Sequence, residues 1–172
     1  MEERAGAVTF RGRPLTLLGP ELRAGDDAPD AALLGNDLKE VKLSDYAGKV
    51  CVLLTVPSLD TPVCDMEARR FNEAAVGLGA KVVVLAASMD LPFAQQRWCG
   101  AAGAERVTTL SDHRDAALGR AYGVLIKELR LLARAVFLID PAGKIAYIQL
   151  VREIADEPDY EAALAAARKA RG

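Results

Sequence analysis

Several apolar stretches of the chain are too short for a buried helix and rich in β-branched residues: Val50 to Val56, Val82 to Ser88, Val107 to Leu110, and the end of Leu131 to Asp140. Bounded as they are by Gly, Asp and Pro, such runs read as buried strands. Between the first two, Val63, Met66, Ala68, Phe71, Ala74 and Ala75 recur at helical spacing, while Asp65, Glu67, Arg69, Arg70 and Glu73 fall mostly on other faces. That pattern predicts an amphipathic helix, with Gly77 and Gly79 as its stop. Two buried strands joined through a helix form a βαβ unit, whose strands must run parallel with a right-handed crossover. The fold class is therefore α/β.

The remaining elements follow from punctuation. Val8 to Leu18 alternates loosely around Gly12 and reads as an N-terminal β-hairpin, and Pro20 to Asp30 as an irregular connection. Gly35-Asn36-Asp37 is a turn, Val41 to Leu43 a short strand, and Ser44 to Lys49 a single helical turn stopped by Gly48. Helices are expected from Pro92 to Gly100 and from Asp112 to Tyr122, the second ending near Gly123. Pro141 to Lys144 turns the chain into a strand, Ile145 to Val151, that pairs antiparallel with the strand before it. Glu157 to Tyr160 opens an alanine-rich C-terminal helix, Glu161 to Lys169. The expected architecture is a central mixed sheet flanked by helices, with the hairpin at the N-terminus.

At 172 residues and 51% hydrophobic, residues 1–172 suffice for one well-buried domain. The 22 basic and 24 acidic side chains give a net charge of −2, and no basic block points to nucleic acid. No segment approaches a membrane span. The charged start, Met-Glu-Glu-Arg-Ala-Gly, lacks the apolar region of a secretory signal, so a cytoplasmic location is expected. Three cysteines fit a reducing compartment. With one histidine, His113, and no Cys-x-x-Cys, the chain has too few suitably spaced soft ligands for zinc. His113, at the front of its expected helix, reads as a surface or capping residue.

The cysteines differ in their surroundings. Cys64 falls where a strand ends and a helix begins, and there the unpaired N–H groups and positive dipole end stabilise a thiolate, the nucleophilic form. Thr61 lies within reach of the same helix end, Pro62 suits the first helical position, and Pro57, lacking an N–H, closes off the strand end and shields the sulfur. Taken alone, the position fits an inert cysteine near a capped helix as well as it fits a nucleophile. Cys99 lies near a helix C-terminus, where the dipole disfavours a thiolate. Cys51, between Val50 and Val52 in a strand, acts as a small core hydrophobe. Arg134 interrupts an apolar run, which is costly unless its head group reaches water at a strand edge or serves a partner.

Pro57, Thr61 and Cys64 form a Pro-x-x-x-Thr-x-x-Cys pattern, and the run Pro57-Ser-Leu-Asp-Thr-Pro-Val-Cys64 resembles that of the thiol peroxidase subfamily of peroxiredoxins. Further segments are similar to the same subfamily: Asp90 to Gln95 with Cys99-Gly100, Ala133 to Val136 with Ile139-Asp140, and Gln149 to Val151 with Glu157 to Leu164. The resemblance implies a thioredoxin-like fold, with Cys64 as attacking cysteine, Cys99 as its resolving partner and Arg134 in contact with the reactive sulfur. It also implies thioredoxin as reductant, a homodimer, and alkyl hydroperoxides alongside hydrogen peroxide as substrates.

In the reaction so implied, the Cys64 thiolate attacks a peroxide oxygen, expels hydroxide or alkoxide and becomes a sulfenic acid. Arg134, the Thr61 hydroxyl and the Cys64 N–H would hold the oxygens, and no metal or organic cofactor is required. Condensation with Cys99 would give an intramolecular disulfide, which requires one or both helix ends to unwind. A thioredoxin-like oxidoreductase fits less well, because Thr61 stands where Cys-x-x-Cys needs its first cysteine. A peroxide-sensing relay or holdase using Cys64 is the alternative from another class. It need react only once, whereas a peroxidase must cycle.

Overall fold

A computed structural model describes residues 1–171. Strands β1 (Glu3–Phe10) and β2 (Arg13–Leu18) form the expected hairpin. Arg11 and Gly12 both have positive φ at its tip, as a two-residue turn that matches strand twist requires. After the irregular connection come β3 (Ala32–Leu34), β4 (Glu40–Lys42) and a 3-10 turn over Leu43–Tyr46. Then follow β5 (Val50–Thr55), α1 (Pro62–Leu78), β6 (Val82–Ser88), α2 (Pro92–Ala102) and β7 (Val107–Ser111). The chain continues through α3 (Ala117–Ala121), β8 (Leu125–Ile126), β9 (Ala135–Ile139), β10 (Ile145–Leu150) and α4 (Tyr160–Arg171).

The main sheet has the order β10-β9-β5-β6-β7-β3-β4. Strands β5, β6 and β7 run parallel, joined through α1 and α2, while β9 pairs antiparallel with β5 and carries β10 on its other side. The sheet is mixed, as expected. Its central strand is buried along its whole length, and alternation sorts its side chains. Val50, Val52 and Leu54 pack with Phe71 and Leu78 of α1 and Tyr160 and Leu164 of α4. Cys51 and Leu53 face the opposite core, with Leu17 of the hairpin, Leu118, Tyr122 and Phe137. The carboxyl ends of β5 and β6 then open onto a third, smaller cluster of Val56, Leu59, Cys64, Ala68, Trp98 and Ala104.

Several boundaries differ from the sequence expectation, each for a local reason. Helix α2 does not stop at Gly100 but runs to Ala102 and ends at Gly103, whose left-handed φ of 63° lets its N–H return to the Cys99 carbonyl. The helix expected over 112–122 begins only at Ala117. Asp112 is buried and accepts the N–H groups of Leu118 and Gly119, and Ala116 is left-handed at φ 50°, so the chain turns before it coils. His113 therefore precedes the helix, with Nδ1 3.0 Å from the Ser111 hydroxyl. Strand β8, too short to leave a periodic signal, pairs with β2 and completes a small second sheet, β1-β2-β8.

Candidate active site

Thr61 is the N-cap of α1 and Pro62 stands in its first turn, as the residue types dictate. The Thr61 hydroxyl donates to the Ser58 carbonyl at 3.1 Å and accepts the Cys64 N–H at 3.3 Å. The Cys64 N–H, expected from the sequence to face a peroxide oxygen, is thus engaged by the cap. Cys64 itself is 0% exposed. Pro57 is buried at the end of β5, next to the cluster that encloses the sulfur.

Arg134 precedes β9, which lies beside β5, and so projects across the sheet end toward α1. It is 1% exposed, not a strand-edge side chain reaching water. Its Nη2 donates to Cys64 Sγ at 3.1 Å, and its Nε and Nη2 both donate to the Ile154 carbonyl, at 3.1 and 3.0 Å. Nη1 meets the Glu67 carboxylate at 2.6 Å. Burial works against the guanidinium charge, but Glu67 and Cys64 more than offset it, and the Arg134 pKa lies above its ordinary value. The fork geometry of arginine serves all three partners at once, which an ammonium could not.

Glu67 is the residue that the apolar pattern concealed. A stripe begun at Val63 and Met66 leaves it outside, whereas Met66 is in fact exposed and Glu67 is 0% exposed. Counted from Cys64, the buried face is Cys64, Glu67, Ala68, Phe71, Ala75 and Leu78, an i, i+3, i+4, i+7 series that contains the carboxylate. Burial raises the Glu67 pKa; Arg134 opposes that shift and Glu157 adds to it. One carboxylate oxygen, Oε1, has no hydrogen-bond partner among the described residues.

Cys99 is half-buried in the last turns of α2 and packs against the cluster that holds Cys64. Its sulfur lies 3.5 Å from the Thr109 hydroxyl, which itself donates to Asn36 Oδ1 at 2.9 Å. With its proton given to Asn36, the Thr109 hydroxyl turns lone pairs toward Cys99. All three cysteines are unpaired. Cys51, on the far face of the sheet, has its pKa pushed up to about 12 by burial.

A polar hub, also missed by the sequence reading, anchors the surrounding loops. The Asp90 carboxylate accepts Ser58 Oγ at 2.7 Å, the Leu59 N–H at 2.9 Å and Ser88 Oγ at 2.7 Å. Buried Gln95 donates to Ser88 Oγ at 3.0 Å and to the Leu110 carbonyl at 2.9 Å. The start of α2 is thereby fastened to the loop that leads into Cys64.

Thr61→Val keeps the side-chain shape but removes the cap acceptor, and is expected to cost about 1 kcal/mol of stability. Equilibrium urea unfolding would measure it, and an unchanged midpoint would refute the cap assignment.

The profile of the Redoxin family matches residues 23–164. A thiol peroxidase of Oceanobacillus iheyensis is 56% identical over 157 residues, covering 91% of this chain and 95% of that protein. The thiol peroxidase of Bacillus subtilis is 53% identical over 161 residues, covering 94% and 96%. Among solved structures, a peroxiredoxin-like protein from Aquifex aeolicus superposes with a TM-score of 0.90 at 46% identity, covering 96% of this chain and 98% of its own. Both the sequence and the thioredoxin-like architecture are therefore shared with these proteins, and the chain belongs to the redoxin family, as a thiol peroxidase of the peroxiredoxin type.

Proposed function

We propose that residues 1–172 form a single domain that reduces hydrogen peroxide and organic hydroperoxides through a Cys64 sulfenic acid, then closes a Cys64–Cys99 disulfide that thioredoxin reduces. The observation that carries this reading is the 3.1 Å contact from Arg134 Nη2 to Cys64 Sγ at a capped helix N-terminus. A cation and a helix dipole converge on one sulfur shielded from water.

In the first step the Cys64 thiolate donates an electron pair to the nearer peroxide oxygen, the O–O bond breaks, and the other oxygen leaves as hydroxide or alkoxide, which takes a proton from solvent to become water or alcohol. Arg134 lies where it stabilises the charge that moves from sulfur to oxygen. Thr61, with its proton committed to Ser58, has a lone pair left to accept from the peroxide O–H. Pro57 helps keep bulk water from the sulfur. In the second step the Cys99 sulfur attacks Cys64 Sγ, the S–O bond breaks, and hydroxide leaves with the Cys99 proton as water. The protein acts in the cytoplasm as a homodimer under this reading.

The test is intact mass and non-reducing peptide mapping after one equivalent of cumene hydroperoxide is added to the reduced chain. The expected product has lost two hydrogens and links Cys64 to Cys99. With Cys99→Ser, the expected product is instead a Cys64 sulfenic acid, which a second equivalent of hydroperoxide carries to sulfinic acid, and steady turnover with thioredoxin stops. An unmodified Cys64 in the parent protein would overturn the reading.

A further inference from the structure

The two sulfurs of the proposed disulfide face different partners, Cys64 toward Arg134 and Cys99 toward Thr109. A disulfide requires them about 2.05 Å apart, so one or both of the segments that bear them must leave their place, and α2 carries Cys99. The two ends of α2 are held unequally. Its start is fastened by Gln95 and by the Asp90 hub, through buried or half-buried hydrogen bonds to β6, β7 and the Cys64 loop. Its end has a different tie. Trp98, adjacent to Cys99, donates its indole N–H to Asp65 Oδ1 at 2.6 Å. Asp65 sits one residue after Cys64, in the first turn of α1. The same carboxylate holds Arg69 Nε at 2.9 Å, and Arg69 Nη1 reaches the Ala102 carbonyl at 3.2 Å, at the last residue of α2.

We infer that Asp65, through Trp98 and Arg69, is the latch that keeps the C-terminal half of α2 folded against α1 and sets when Cys99 becomes available to the Cys64 sulfenic acid. The carboxylate is a positioning residue, acting through Trp98 on the neighbouring Cys99. Release frees Arg97 to Ala104 while the Gln95 anchor stays, so Cys99 swings on a short tether. While the latch is closed, a sulfenic acid at Cys64 waits for its partner and is open to a second peroxide, which would carry it to sulfinic acid. Latch strength therefore decides the partition between disulfide and overoxidation. The inference rests on the proposed two-cysteine cycle for its chemical consequence, but not for its mechanical one.

The test uses the full chain, reduced, with Trp98→Phe, which keeps an aromatic ring but removes the donor together with ring volume, and with Asp65→Ala at a partly exposed site, which removes the acceptor without touching the core and so isolates the hydrogen bond from packing. Amide hydrogen exchange of the reduced proteins reads the latch without any peroxide. Residues 97–104 are expected to exchange about tenfold faster in both variants, the low end of the effect of losing a hydrogen bond to a charged group, while β6 is unchanged. Under excess cumene hydroperoxide, the ratio of Cys64 sulfinic acid to Cys64–Cys99 disulfide is expected to fall about tenfold relative to the parent, by the same argument. Asp65→Glu, which restores a carboxylate, should return both readouts toward the parent. Parental exchange in both variants would overturn the latch, as would faster exchange with an unchanged product ratio. An unreactive Cys64 in the parent protein would instead defeat the proposed chemistry, and the exchange data alone would then decide the latch.

Discussion

Replacing Cys64 by serine is expected to lower hydroperoxide turnover by at least about 10⁴-fold while leaving the fold intact. The substitution is nearly isosteric, and a serine hydroxyl can still accept from Arg134. What disappears is the soft sulfur nucleophile. In the proposed mechanism Arg134 and the α1 dipole act on charge leaving that sulfur, and a hydroxyl gives them none to act on. Neither remaining thiol substitutes. Cys51 faces the opposite core with its pKa pushed up to about 12, and Cys99 has the Thr109 hydroxyl, not a guanidinium, beside it. Hydroperoxide consumption with a thiol reductant measures the effect. A variant that still cycles at a substantial fraction of the parental rate would place the chemistry elsewhere.

Arg134→Ala is expected to act twice. It leaves the fully buried Glu67 carboxylate without its cation, and breaking a buried pair from one side typically costs about 3–5 kcal/mol. It also removes the guanidinium donor that lies 3.1 Å from the sulfur, for which a loss of roughly 10²–10³ in the rate of Cys64 oxidation is expected. The two effects separate in the double variant Arg134→Met with Glu67→Leu. Removing both charges restores most of the stability, because no buried charge remains unpaired, but the rate stays low. Urea unfolding and single-turnover oxidation of Cys64 measure the two quantities. If the double variant recovered the rate along with the stability, Arg134 would be a structural residue alone.

Much of the fold was legible from local pattern. The apolar β-branched runs became β5, β6, β7 and β9, because short runs of this kind between turn residues, buried on both faces in β5 and β9, leave too little length for a helix. Gly12 marked the hairpin and Pro62 the start of α1, where conformational restriction acts within a residue or two. Thr61 and Cys64 were legible for the same reason. The failures lie where a side-chain contact or a partner strand overrides backbone preference: Asp112 delays the start of α3 by capturing the N–H groups of Leu118 and Gly119, and β8 forms where β2 passes beside it.

The sequence by itself determined the α/β class, the helix-terminal placement of Cys64, and the resemblance that singled out Pro57, Thr61, Cys99 and Arg134. These are matters of period, capping and short spacing, which the chain expresses over a few residues. Only the tertiary structure decided that Glu67 turns inward to meet Arg134, that Ile154 and the sulfur share the same guanidinium, and that Asp65 grips Trp98. A charged residue between apolar ones carries no mark of its partner's position. Its burial becomes tolerable only when the fold brings an opposite charge or a donor from far along the chain to within hydrogen-bond distance.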